Sequence, residues 1–167
     1  MKKGDSLFLL LGSNLGNRTA ILGSAIDQLR HHFGAPDKVS AIYHTAAWGV
    51  TDQPDFLNQV VEFRTEAAPS HILSITQSIE QEAGPPKTRH WGARYLDIDL
   101  LFYGDYQCET PDLILPHPEI PNRRFTLVPL VEVAPHFTHP VLGQTMTQLL
   151  ASTTDPLPVY KGLPHEA

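Results

Sequence analysis

Cysteine is almost missing from this chain. Cys108 is the only one in 167 residues, so no internal disulfide can form and a thiolate-rich metal site is excluded. As a lone thiol in a loop it reads as incidental rather than nucleophilic. Long apolar runs are missing too. The longest covers residues 7–11, far below the roughly 20 residues that span a bilayer, and no basic segment followed by a long apolar stretch opens the chain. A cytoplasmic protein is expected. Positive charge is scarce: 12 Lys and Arg against 18 Asp and Glu give a formal net charge of -6. Nucleic acid and anionic membrane are therefore poor general partners, because binding them rests on excess Lys and Arg. Both common nucleotide fingerprints are also absent. Gly12-Ser13-Asn14-Leu15-Gly16-Asn17-Arg18 has neither Gly-Lys-Ser/Thr nor Gly-x-Gly-x-x-Gly, and reads as a tight turn with helix capping. His31-His32 and the His136, His139 pair lack the converging third ligand that zinc wants, and are expected at the surface.

What is present suits one domain over residues 1–167, with 41% hydrophobic residues to fill a core. Residues 7–11 read as a strand buried on both faces. Ile21, Leu22, Ala25, Ile26, Leu29 and Phe33 then recur at helical spacing, with Asn17 as N-cap and Gly34 as stop. Residues 38–46 and 57–65 read as strands around a long loop. A second helix starts at Pro69, buries Ile72, Ile75 and Ile79, and stops at Gly84. Residues 95–103 form the next strand. The order β-α-β-β-α-β predicts an α+β, ferredoxin-like core: an antiparallel sheet with helices on one face and the other face free for a substrate site. Of the 15 prolines, 12 follow Gly84, which predicts loops around short helices at 127–133 and 145–150. Residues 155–167 are left between a loosely ordered tail and a segment that pairs with the sheet.

The strongest chemical signal lies in the strand at 95–103. Alternation sends Leu96, Ile98, Leu100 and Phe102 into the core and turns Asp97 and Asp99 to the other side. At about 3.3 Å per residue the two carboxylates stand roughly 6 to 7 Å apart, and at an effective dielectric near 20 they repel by on the order of 2.5 kcal/mol. A divalent cation between them reverses that sign, with phosphates and water completing its shell. The pair alone fits a solvated polar face equally well. The preceding stretch favours the metal: Lys87, Arg89 and Arg94 stand with no acid between Glu82 and Asp97, so an acidic chain sets cations that can hold phosphate oxygens beside paired carboxylates. Two further clusters are less specific. Pro116-His117-Pro118 with Arg123-Arg124 suits part of an anion site or a rigid solvated loop. Phe56 and Asn58 share a strand face, a way to stack a flat heterocycle and bond its edge, or simply core.

Leu11-Gly12-Ser13-Asn14-Leu15-Gly16, Asp52-Gln53-Pro54-Asp55-Phe56-Leu57-Asn58, Trp91-Gly92-Ala93-Arg94-Tyr95-Leu96-Asp97-Ile98-Asp99, and Pro116-His117-Pro118 followed by Asn122-Arg123-Arg124-Phe125 occur in that order. Together they resemble the hydroxymethyldihydropterin pyrophosphokinase family. The resemblance implies an enzyme that holds ATP, two magnesium ions and 6-hydroxymethyl-7,8-dihydropterin, and releases AMP and the pterin diphosphate in folate biosynthesis. It implies that Asp97 and Asp99 bind both metals and act in catalysis with Arg94 and Lys87. Phe56 and Phe125 would sandwich the pterin, while Asn58, Thr45, Ala46 and Trp48 meet its polar edge. Gln77, Glu80, Lys87, Trp91, Arg94, Leu100, His117 and Arg123 would line the ATP site or the loop over it. The chain departs from the family pattern at Pro85, His90 and Asp112, where arginines are frequent, and at Ala46-Ala47, where Pro-Pro is common. No second folate enzyme fits in the length, and a monomer is expected. A nucleotide sensor without turnover and a metal-dependent phosphohydrolase remain alternative readings of the same residues.

Overall fold

In a computed structural model that describes residues 4–46, 54–85 and 94–164, the apolar run at 7–11 lies inside β1 (Asp5–Ser13), buried from Leu7 onward. A strand covered on both faces belongs inside a sheet. β1 pairs antiparallel with β4 (Phe56–Thr65) on one side and with β5 (Asp97–Tyr103) on the other. The chain reaches β4 through α1 (Arg18–Phe33), β2 (Lys38–Val39) and β3 (Tyr43–Thr45), and reaches β5 through α2 (Pro69–Ala83). Both β2 and β3 pair antiparallel with β4. Beyond β5 come a hairpin of β6 (Cys108–Glu109) and β7 (Ile114–Leu115), a 3-10 turn at Ile120–Asn122, α3 (Arg124–Val133), α4 (Met146–Ser152) and β8 (Tyr160–Lys161). The main sheet runs β5-β1-β4-β3-β8. The molecule is α+β. None of its described helices is long and apolar enough to cross a membrane.

Local signals explain most element ends. The Asn17 side chain accepts the Ala20 amide at 3.2 Å, and Gly34 leaves α1 at φ 81°, a conformation that disfavours any side chain. Pro69 opens α2, whose Ile72, Ile75 and Ile79 are buried, and Gly84 follows it. A Cβ on Gly84 would stand 2.3 Å from the Tyr95 ring, so this glycine allows the chain to pass under an aromatic. The strand expected at 38–46 is broken in two. The Ser40 hydroxyl accepts the Val60 amide at 2.9 Å, and the Ala41 amide turns away to the Glu132 carboxylate at 2.9 Å.

Two expectations are corrected and one left open is decided. Helices cover both faces of the sheet rather than one. α1 and α2 bury Leu7, Leu9, Leu11, Val61, Ile98 and Leu100 beneath them, while α3 and α4 close over Phe8, Leu10, Val60, Leu101 and Phe102 on the opposite side. Among the described residues, only the end of that second face nearest Gly12 stays open. Phe102 also changes sides: the register slips between Phe8 and Leu9, and this bulge turns both Leu101 and Phe102 to the α3 side. Third, of the two readings of the tail the structure favours pairing as far as Gly162, since β8 pairs with β3 and the Gly162 amide donates to the Ile42 carbonyl at 2.7 Å.

His139, expected at the surface, is 5% exposed. Its Nδ1 accepts the amides of Val141 and Leu142, both at 3.1 Å, and its ring meets the Phe102 ring edge-on. Burial pushes its pKa down, because the imidazolium would lose both an acceptor and its hydration. The unfolded chain therefore takes up this proton first, and the stability His139 contributes is lost as pH falls below about 6.5. The expected outcome is a melting midpoint that drops from pH 7 to pH 5, with up to about 1.4 kcal/mol per pH unit assignable to one group. His139→Asn, which keeps an acceptor that does not titrate, flattens that drop in paired thermal melts.

Candidate active site

The open end of the sheet is built by register. Gly12 on β1 stands opposite Asp97 on β5 and Asn58 on β4, and Asn58 in turn stands opposite Tyr43 on β3. Residues paired across antiparallel strands share a face, so Asp97, Gly12 and Asn58 form one row. A second row two residues along holds Asp99, Leu10 and Val60. Gly12 supplies floor without a side chain: a Cβ there would approach the Asn58 Oδ1 to 3.3 Å. Above this floor lies a cleft of about 500 Å³. Its walls include Thr45, Ala46, Phe56 and Asn58 on the β3–β4 side, Asp97 and Asp99 on β5, and Arg123 and Phe125 at the start of α3. The Asn58 amide nitrogen donates to the Thr45 hydroxyl at 3.4 Å. The Arg123 guanidinium carbon sits 5.5 Å from the Phe125 ring centre, within cation–π range.

A second cleft, of about 700 Å³, opens beside the first and is lined by Gln77, Glu80, Gln81, Arg94, Tyr95 and Leu96 among others. The two are joined by one ion pair, in which Arg94 of the second cleft donates to Asp97 of the first. Arg94 is itself held by its main chain. Its amide donates to the Asn14 Oδ1 at 2.7 Å and its carbonyl accepts the Asn14 amide at 3.0 Å. Asn14 is fully buried and its side-chain nitrogen also reaches the Pro54 carbonyl at 3.5 Å. The turn after β1 thus fastens the residues on which Arg94 and Phe56 depend.

Glu80 lies under the two aspartates. One of its oxygens accepts the Ile98 amide, between Asp97 and Asp99, at 2.9 Å. Burial raises its pKa to about 7, helped by the neighbouring charges of Asp97 and Asp99 and opposed by the amide bond and Arg94. Desolvation is thus the main reason that Glu80 holds its proton, with the two aspartates adding to it. His117 donates its amide to the Leu101 carbonyl at 3.0 Å, and its Nδ1 accepts the Glu119 amide at 3.1 Å. Burial lowers its pKa, with Asp99 pulling the other way. Asp97 and Asp99 are half-buried oxygen donors on one wall, which suits a hard divalent ion better than a soft one. Among the described residues no group of three His, Cys, Asp or Glu converges. An ion here would complete its shell from phosphates and water.

Of the residues expected in the site, Thr45, Ala46, Phe56, Asn58, Asp97, Asp99, Arg123 and Phe125 line the first cleft, and Gln77, Glu80 and Arg94 line the second. His117 stands nearby. Leu100 turns its side chain into the core under α1 and α2. Trp48, Lys87 and Trp91 lie outside the described residues. Leu10, Gly12, Glu119, Asn122, Asp155 and Leu157 also line the first cleft and had been given no role. Gly12 becomes legible only with the register, and Asp155 and Leu157 lie in the tail, where no periodicity points to a site.

Residues 8–135 match the sequence model of the family described as 7,8-dihydro-6-hydroxymethylpterin-pyrophosphokinase. Among curated relatives, the chain is similar to the 2-amino-4-hydroxy-6-hydroxymethyldihydropteridine pyrophosphokinase of Aquifex aeolicus, at 34% identity over 89% of this chain and 92% of that protein. The proteins of the same name from Methylorubrum extorquens and Bacillus subtilis are each 41% identical, covering 86% and 75% of this chain and 90% and 76% of theirs. In fold it resembles a Plasmodium falciparum HPPK-DHPS crystal structure with pteroate, at a TM-score of 0.71 and 16% identity over 90% of this chain. It spans 42% of that longer chain. The cleft residues and the match over 8–135 converge on one assignment: this chain belongs to the 7,8-dihydro-6-hydroxymethylpterin-pyrophosphokinase family.

Proposed function

We propose that this chain, acting as a single-domain monomer, transfers pyrophosphate from ATP to 6-hydroxymethyl-7,8-dihydropterin in folate biosynthesis. Membership of the family supports the reaction. The observation that carries the reading is the joining of two clefts at the Arg94–Asp97 pair. One is walled by aromatics and a carboxamide and suits a flat polar ring; the other, at about 700 Å³, is large enough for a nucleotide.

The pterin lies between Phe56 and Phe125 with its polar edge on Asn58 and on Thr45, Ala46 and Trp48. Its hydroxymethyl group points to Asp97 and Asp99. ATP occupies the second cleft beside Gln77, Glu80 and Arg94, with Lys87, Trp91, His117 and Arg123 as further contacts, while Leu100, expected there, is taken up by the core. The hydroxyl oxygen attacks the β-phosphorus in line, the bond from that phosphorus to the oxygen bridging it to the α-phosphorus breaks, AMP leaves, and the hydroxyl proton is released. Two magnesium ions held by Asp97 and Asp99 would offset phosphate charge and draw the attacking oxygen and the β-phosphorus together. Arg94 offsets charge developing on the transferred group, and the aromatic walls hold the acceptor at attack distance.

Incubation with ATP, magnesium and the hydroxymethyl pterin should give AMP and a pterin diphosphate in equal amounts. Phosphate release without pterin, or nucleotide binding without AMP, would refute the reading. Asp97→Asn should lower kcat by at least about 100-fold and weaken magnesium-dependent nucleotide binding in calorimetry, while the melting midpoint moves by only a few degrees. Activity within a fewfold of wild type would remove Asp97 from the metal site. Phe56→Ala should raise the pterin KM about tenfold, as expected for a lost aromatic wall, and leave the ATP KM nearly unchanged.

A further inference from the structure

One side of the first cleft is closed by chain from beyond α4, which has no part in the reaction just described. We propose that residues 155–157 are part of the acceptor site: Asp155 is a positioning residue for the Phe125 wall, and Leu157 is an apolar wall that selects a flat ring. This rests on the pterin reading of that cleft.

Helix α3 starts without a cap of its own. Its N-cap residue, Arg123, makes no side-chain bond to the helix, and the first amides of a helix need outside acceptors. The acceptor comes from 31 residues away, where the Asp155 Oδ2 takes the Arg124 amide at 2.9 Å. A carboxylate there also meets the positive end of the helix. The other oxygen, Oδ1, takes the Leu157 amide at 3.0 Å. One side chain thus fixes Phe125, the residue next to Arg124, and Leu157, and all three of Phe125, Asp155 and Leu157 line the cleft. Since main-chain amides occupy both oxygens, Asp155 acts as a brace rather than as a proton acceptor.

The segment is anchored at its far end as well. The His44 Nδ1 meets the Gly162 carbonyl at 2.7 Å, and the His44 and Tyr160 rings stack with centres 5.2 Å apart. His44 precedes Thr45 on the opposite wall, so the tail runs from α4 to β3 and ties the two walls together. Leu157 is half-buried yet belongs to neither apolar cluster of the core. Its place in the cleft wall is what its side chain serves.

The test is steady-state AMP formation by the full chain in wild type, Asp155→Ala, Asp155→Asn and Leu157→Ala. Asp155→Ala should raise the pterin KM about tenfold, the effect of a lost charge-assisted bond at a wall, with kcat and the ATP KM within about twofold. Asp155→Asn keeps a single acceptor oxygen and should fall between the two. Leu157→Ala should raise the pterin KM about fivefold with an unchanged melting midpoint. A pterin KM within twofold of wild type in both alanine variants overturns the inference, as does an equal rise for both substrates. Should Asp155→Ala not fold, Leu157→Ala decides by the same criterion. If wild type forms no AMP with the pterin, it is the functional reading that falls, and calorimetry of the pterin against wild type and Leu157→Ala then judges the wall: equal affinity overturns it.

Discussion

The site depends on the register of the central strand. With Gly12 opposite both Asp97 and Asn58, an acidic group and a carboxamide from two strands that do not pair with each other are set on one face, with a residue lacking a side chain between them. Side chains alternate with period two, so a slip of one residue on either flank would send Asp97 or Asn58 into the apolar layer beneath α1 and α2. That layer holds the register. Leu7, Leu9 and Leu11 are fully buried there against Leu57, Val61, Phe63, Ile98 and Leu100. Each such side chain contributes about 1.5 to 3 kcal/mol by its burial, so a slipped register costs more than the site itself could recover.

The opposite face is divided along its length rather than left open. Toward Phe8 it is apolar and sealed by α3 and α4; toward Gly12 it is polar and uncovered. The same helix serves both halves. Leu127, Leu130 and Val133 hold α3 to the sheet, its Glu132 takes the Tyr43 hydroxyl and the Ala41 amide, and its first turn delivers Phe125 to the cleft. Burial and Glu132 together raise the Tyr43 pKa to about 12, so this cross-tie keeps its proton at any physiological pH. The aromatic wall is thereby fastened by packing at one end of the helix and by the Asp155 carboxylate at the other.

What was legible in the sequence follows from the reach of each signal. Period-two alternation placed Asp97 and Asp99 on one side of a strand, and helical spacing with Asn17, Gly34, Pro69 and Gly84 placed α1 and α2, because these are interactions between near neighbours. The bulge that turns Phe102 over was not legible, since a slip in pairing with Phe8 is a property of two strands and leaves no mark on one. The same holds for His139, whose imidazole is buried by Phe102 and by amides that only the folded loop brings round. Asn14 was read as part of a turn. Its reach to Arg94, 80 residues on, needed the sheet to be closed first. The tail stayed open for the opposite reason: its prolines disfavour a helix, and they say nothing for or against an extended strand pairing at a sheet edge.

Charge explains why a chain with net charge -6 can serve an anionic substrate only in a particular form. The first cleft carries Asp97, Asp99, Glu119 and Asp155 against Arg123, and Arg94 is already engaged by Asp97. Glu80, buried beneath them, has its pKa raised to about 7 chiefly by its own desolvation, with the charges of Asp97 and Asp99 adding to it. A bare polyphosphate brought to this wall is repelled, since its oxygens meet like charge at short range in a poorly solvated corner. The same wall would attract a polyphosphate that arrived with divalent cations, because each cation would cancel phosphate charge and turn the aspartates from a penalty into ligands. A cation there would also offset the negative charge beside Glu80, whose proton would then be held less tightly. The Ile98 amide that Glu80 accepts lies between the two aspartates, so the same buried carboxylate steadies the strand segment whose oxygens would hold the cation.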